Sequence, residues 1–147
     1  MIKTIRDNLI TRLSTILGEG YSKLSYTSSI EANKFNRAVR RYSVIPEASS
    51  EAQGVNNKNT FDHTFTFILT DGYVNGAENQ LNDDLKMERV GELQSKALEI
   101  YKDLQANRTS ISNNILIINQ MAMNAVEFLD EERIAVLRFS INIKYRI

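Results

Sequence analysis

From Ile134 to Ile147 the chain alternates without a break. Ala135, Leu137, Phe139, Ile141, Ile143, Tyr145 and Ile147 fall on one parity, and Arg138, Ser140, Asn142, Lys144 and Arg146 on the other. Strand side chains alternate between faces with period two, so one face predicts a core and the other a surface that is wet or meets a partner. An apolar run from Ile115 to Met121 comes before it, with the acidic turn Asp130-Glu131-Glu132 between. Two closing strands are expected, Asn114 to Phe128 and Arg133 to Arg146, the first bent or bulged where Asn119 and Asn124 interrupt the pattern.

Upstream the period changes. Ile2, Ile5, Leu9, Leu13, Ile16 and Leu17 recur at steps of three and four, one apolar stripe of a helix that Gly18 and Gly20 stop. Residues 21–36 scatter Tyr21, Leu24, Tyr26, Ile30 and Phe35 among Ser, Thr and Asn, which predicts an irregular connection. Arg37 to Pro46 reads as a strand with Ala38, Tyr42 and Val44 on one face; Pro46 cannot donate to a ladder and marks its end or an exposed edge. After a polar loop, 47–60, Phe61 to Thr70 alternates again: Phe61, His63, Phe65, Phe67 and Leu69 oppose Asp62, Thr64, Thr66, Ile68 and Thr70. The two strands predict a long-looped hairpin.

Asp71-Gly72 closes that hairpin, and a loop over 72–82 leads to Asn82, a good N-cap, with Asp83 and Asp84 where the helix dipole favours negative charge. Val90, Leu93, Ala97, Ile100, Tyr101 and Leu104 then make the stripe of a long helix ending near Asn107. The order is α-β-β-α-β-β, an α+β fold of two helices packed on one four-stranded, mostly antiparallel sheet, with a weak αββ duplication. At 147 residues the chain suits one domain, residues 1–147.

Composition narrows the chemistry. With no cysteine, disulfides, thiolate metal sites and cysteine nucleophiles are excluded. Eighteen Lys and Arg against eighteen Asp and Glu remove the general pull on phosphate backbones that polyanion binders use. The opening segment meets Arg6 and Asp7 before any apolar run develops, unlike a signal peptide, and no stretch approaches the roughly 18 apolar residues of a membrane helix. The chain is expected to work in aqueous solution, away from membrane.

Candidate sites are few. His63 adjoins Asp62, but strand neighbours point to opposite faces, so Asp62 cannot orient it as in a catalytic triad, and His63 shares parity with large apolar residues. It is expected to be a semi-buried structural histidine. No G-x-S-x-G elbow is present. Asp83, Asp84 and Glu88 are the densest acidic group, and the helix dipole already explains the first two, so no metal site is expected. Gly18-Glu19-Gly20 follows a helix and reads as a stop, not as a phosphate loop. Asn107-Arg108-Thr109 matches a glycosylation sequon, which matters only in a secreted chain.

Two basic groups remain, Lys34 with Arg37, Arg40 and Arg41, and Arg138 with Lys144 and Arg146. Neither interleaves aromatic residues for base stacking, so both read as solvated or subunit-facing strand surface. The surface positions expected to meet a neighbouring subunit or partner are Arg40, Arg41, Glu51, Asn57, Tyr73, Asn75, Arg138, Lys144 and Arg146. Long strands with a polar face, a basic edge and flexible loops are the parts needed to pair sheets between subunits or to dock on a ring.

In the opening helix Ile2 to Leu17, the strand Phe61-Asp-His-Thr-Phe-Thr-Phe-Ile-Leu-Thr, the long helix from Asp83 and the closing strand Ala135-Val-Leu-Arg-Phe-Ser-Ile-Asn-Ile-Lys-Tyr-Arg, the chain resembles the tail terminator and tail-completion proteins of long-tailed bacteriophages. The resemblance is one of element order and texture over nearly the whole chain, and no chemical motif transfers residue by residue. It implies a structural virion protein, not an enzyme and without cofactor. Such a protein forms a hexameric ring on the last ring of the tail tube, stops polymerisation there and offers a surface to the head-side connector. Its partners would be its own copies, the tail tube protein and the connector, with genomic DNA only passing the lumen. It would be assembled in the bacterial host cytoplasm, and loops 47–60 and 72–82 would project toward neighbours, tube or lumen. The alternatives are another neck, head-closure or tube adaptor protein of the same virion, and a small cytoplasmic enzyme or regulator.

Overall fold

A computed structural model of the protein describes residues 2–23, 40–51, 60–72, 83–129 and 134–146. They form helix α1 (Ile2–Leu17), strands β1 (Tyr21–Lys23), β2 (Arg40–Glu51) and β3 (Thr60–Gly72), helices α2 (Asp83–Ala106) and α3 (Arg108–Ile111), and strands β4 (Ile115–Met123), β5 (Glu127–Leu129) and β6 (Ile134–Arg146). The class is α+β, as the periodicities predict. The sheet has six strands instead of four and is mixed: its order is β1-β2-β3-β6-β4, β5 pairs with β6, and β1 runs parallel to β2 while every other pairing is antiparallel.

Both extra strands are three residues long, too short to carry a readable period. The third predicted strand, Asn114 to Phe128, divides into β4 and β5 at residues 124–126, and within β4 the ladder to β6 slips between Ile115 and Ile117 and again between Asn119 and Ala122. Gln120 takes a left-handed φ of 56° in the second slip, the bulge expected near Asn119. Pro46 does not end its strand. It stays in register opposite Phe65, and a bulge between Pro46 and Ser49 lets β2 run on to Glu51. Residues 24–39, 52–59, 73–82 and 130–133, with Met1 and Ile147, lie outside the described residues, and with them Asn82, Lys34, Arg37, the acidic turn and most of both long loops.

Each predicted stripe buries the side that was expected. Ile5, Leu9, Leu13 and Leu17 of α1 and Leu93, Ala97, Ile100 and Leu104 of α2 form one core with Tyr42 and Val44, with Phe65, Phe67 and Leu69, and with the odd residues of β6 from Ala135 to Tyr145. At its centre Phe67 and Phe139, register partners on β3 and β6, stack at 5.1 Å between ring centroids and 12° between planes. Gly18 ends α1 in the left-handed region at φ 75°, its N–H donating to the Ser14 carbonyl at 3.0 Å. Arg12 joins the two long helices by donating to both Asp103 oxygens, at 2.6 and 2.8 Å, and its guanidinium holds that carboxyl below the usual carboxylate range.

The far face of the sheet, away from the helices, is not uniformly wet. Ile68, Ile134 and Val136 form a second buried apolar cluster there, with Ile45 and Leu129 packed against it. Beyond it that face is polar, with Thr64, Thr66, Ser140 and Asn142 half-buried.

Candidate functional site

Strand parity decides where each expected interface residue sits. Arg40 and Arg41 are neighbours in sequence and part company in space. Arg40 shares the parity of Tyr42 and turns toward the helices, where its guanidinium approaches buried Asp71 at 3.3 Å and lies over the Tyr21 ring at 5.8 Å. Arg41 is on the other parity with Ser43, and both Arg41 Nε and Ser43 Oγ are buried with no hydrogen-bond partner among the described residues. The first basic group is thus not one patch. Arg138, Lys144 and Arg146 do share the far face, but Arg138 is engaged by Glu127 at 2.6 Å. Glu51 ends β2 opposite Phe61, and Asn57, Tyr73 and Asn75 lie outside the described residues.

Asp71 closes one end of the core. Arg40 and Arg89 both reach it, Arg89 at 3.7 Å while donating to the Gly72 carbonyl at 2.7 Å and pairing with Glu92 at 3.0 Å. Burial nonetheless raises the Asp71 carboxyl above the usual range, outweighing the two guanidiniums. The groups satisfy one another, as a structural closure would.

His63 lies on the core-facing parity, 7% exposed, with its ring 5.0 Å from that of Phe65 and 6.4 Å from that of Tyr145. Among the described residues neither ring nitrogen closes a well-formed hydrogen bond, the Glu47 backbone exerting a weak pull, and Asp62 is on the opposite face. Burial pushes the imidazole below its ordinary value. The unfolded chain therefore takes up a proton first as pH falls, so this contribution to stability is whole above about pH 6.5 and declines below it. His63→Phe is expected to raise stability by about 1 kcal/mol, since it removes buried ring nitrogens that lack well-formed hydrogen bonds among the described residues, and to flatten this acid decline. Urea midpoints at several pH values between 5 and 8 for both chains check it.

β4, at one side of the sheet, and β2, next to the short β1 at the other, meet side chains from the helices. On β4, Gln105 donates to the Ile118 carbonyl at 3.1 Å and the Arg108 guanidinium to the Leu116 carbonyl. On β2, which among the described residues β1 covers at 40–42, Arg6 donates to the Val44 carbonyl at 2.9 Å, and Pro46 has no N–H to offer. Edge strands blunted in this way are poor templates for another strand. The expectation that subunits pair edge to edge thus meets an obstacle, and contact through faces is favoured.

One such face is absent from the expected interface set. On α2, Met87, Gly91 and Leu98 line up away from the core, with Glu88, Glu92 and Glu99 in the next row, beside an open depression of about 490 Å³ that Tyr21 and Arg40 help to line. The helical period that marks the buried stripe also marks these residues, because Met87 and Leu98 are the apolar ones left off it. Among the described residues no three His, Cys, Asp or Glu side chains converge to hold a metal, and no helix is long and apolar enough to cross a membrane.

Neither a protein-family model nor a curated protein sequence matches this chain.

Proposed function

We propose that this chain is a structural virion protein, not an enzyme, that closes into a ring on the end of a bacteriophage tail tube, stops the tube's polymerisation there and offers the docking surface for the head-side connector. The observation that supports this reading is the placement of unlike surfaces on opposite layers of one small fold: an acidic, partly apolar helix row on one side and, on the other, a polar sheet face whose Lys144 and Arg146 have no ion-pair partner among the described residues. Contacts between unlike patches are heterologous, and they generate a closed ring whenever the rotation between copies permits. The tube and connector as partners, and six copies as the number, come from the resemblance of element order. A net charge of zero fits a ring through whose lumen DNA passes without being gripped. Such a protein is built in the host cytoplasm and ends in the tail or neck of the virion.

Light scattering over a concentration series, with negative-stain images of the protein alone and mixed with tail tubes, tests the reading. Closed rings seated on tube ends are expected. Rings that bind only a portal-side connector would move the protein to the neck or head-closure position. A strict monomer that ignores tubes would overturn the proposal.

A further inference from the structure

Three large apolar side chains stand out from the described surface: Met87 at 67% exposure, Leu98 at 45% and Ile117 at 43%. Their placement is not random. Met87 and Leu98 share the outer row of α2, on the helix layer. Ile117, on β4, pairs in register with Lys144 of β6 and so lies on the far face of the sheet. Each apolar group is flanked by charge, and the signs are opposite. Beside Met87 and Leu98 run Glu88, Glu92 and Glu99; Glu92 and Glu99 pair with Arg89 and Lys96 yet remain 42% and 53% exposed, and Glu88 has no partner among the described residues. Beside Ile117 are Lys144 and Arg146, which have no ion-pair partner among the described residues; Asp62 sits across from Lys144 without closing to it.

We infer that the outer row of α2 docks on the far face of the sheet, at Ile117, Lys144 and Arg146, of a second copy of this chain. The two surfaces belong to opposite layers and cannot touch within one molecule, whereas between copies they match in both hydropathy and charge. Gly91 contributes by what it lacks. A Cβ there would meet nothing within 4 Å, so the row keeps an open floor between Met87 and the glutamates that can take a neighbour's side chain. Strand-edge pairing is hindered along β2 and β4, because Arg6, Gln105 and Arg108 already occupy carbonyls there. Each copy offers one surface of each kind, so the contact repeats head to tail. The inference rests on the ring reading only for closure of that repeat.

The test is charge reversal with complementation. Glu88→Lys with Glu99→Lys gives one variant, and Lys144→Glu with Arg146→Glu gives the other; circular dichroism and thermal melting confirm that both stay folded. Each variant alone is expected to need about tenfold more protein to associate than the unaltered chain does, measured by sedimentation velocity. An equimolar mixture is expected to recover association, because each interface then joins opposite charges, and one chain carrying all four changes is expected to recover it alone. About 0.5 M salt weakens the unaltered contact. Variants that assemble like the unaltered chain, a mixture no better than its parts, or an unaltered chain that stays monomeric each overturn the inference. If the reversed variants still form rings on tubes, this docking pair fails and the tail-cap reading stands. If complementation works and no assembly binds tubes, the docking pair stands and the tail-cap reading falls.

Discussion

Phe139→Ala is expected to remove about 3–5 kcal/mol of folding stability, a large part of the roughly 5–15 kcal/mol that holds a domain together. Phe139 is 1% exposed and stacks on Phe67, and β6 lies between β3 and β4, so the ring is closed in by the sheet below and the helices above. Truncation there loses the transfer energy of the ring and leaves a cavity in a core shared by the sheet and both long helices, whose walls cannot all close in. Urea denaturation of the two chains under matched conditions reads the difference directly. A loss below about 1 kcal/mol would mean that the odd residues of β6 do not face the main core.

The second large effect tests the opposite face. Val136 has the parity of Arg138 and Ser140, and alternation alone would make it a position that tolerates a charge. Instead it is 0% exposed, held with Ile68 and Ile134 under Ile45 and Leu129. Val136→Lys puts an ammonium into this apolar cluster, where the register partner Glu127 is already held by Arg138, and is expected to destabilise by about 3 kcal/mol or to leave the chain insoluble. Ser140→Lys, on the same face and half-buried, is the control and is expected to stay within about 1 kcal/mol of the unaltered chain. Equal behaviour of the two variants would show that the second cluster is open surface.

The architecture was legible wherever a period had room to repeat. The thirteen residues of β6 and the two helix stripes announce which side they bury, because burial imposes period two or 3.6 on the apolar positions. Tyr21–Lys23 could not announce itself, since three residues hold no period and its parallel pairing with β2 is a tertiary event. Pro46 misled because its missing N–H forbids a ladder bond on one side only, and β2 uses its other side toward β3. The interface set was less legible. Arg40 and Arg41 were grouped by adjacency, although the rule that separates Asp62 from His63 separates them too. Met87, Leu98 and Ile117 were visible as apolar residues off the buried stripes, yet only exposure in the fold distinguishes an unpartnered group from one packed elsewhere.

The β3–β6 ladder joins Thr60 to Arg146 and Gly72 to Ile134, so the centre of the sheet is built from residues that the chain keeps far apart, with α2, β4 and β5 strung between them. Closing so long a loop is an entropic cost that must be met before any of the pairing rewards it, which slows folding. It also orders events on the ribosome. The β2–β3 hairpin can form early, but the main core lacks its central strand until residues 134–146 have been made. A nascent chain therefore has no finished sheet face and no finished helix layer to present before residues 134–146 are in place.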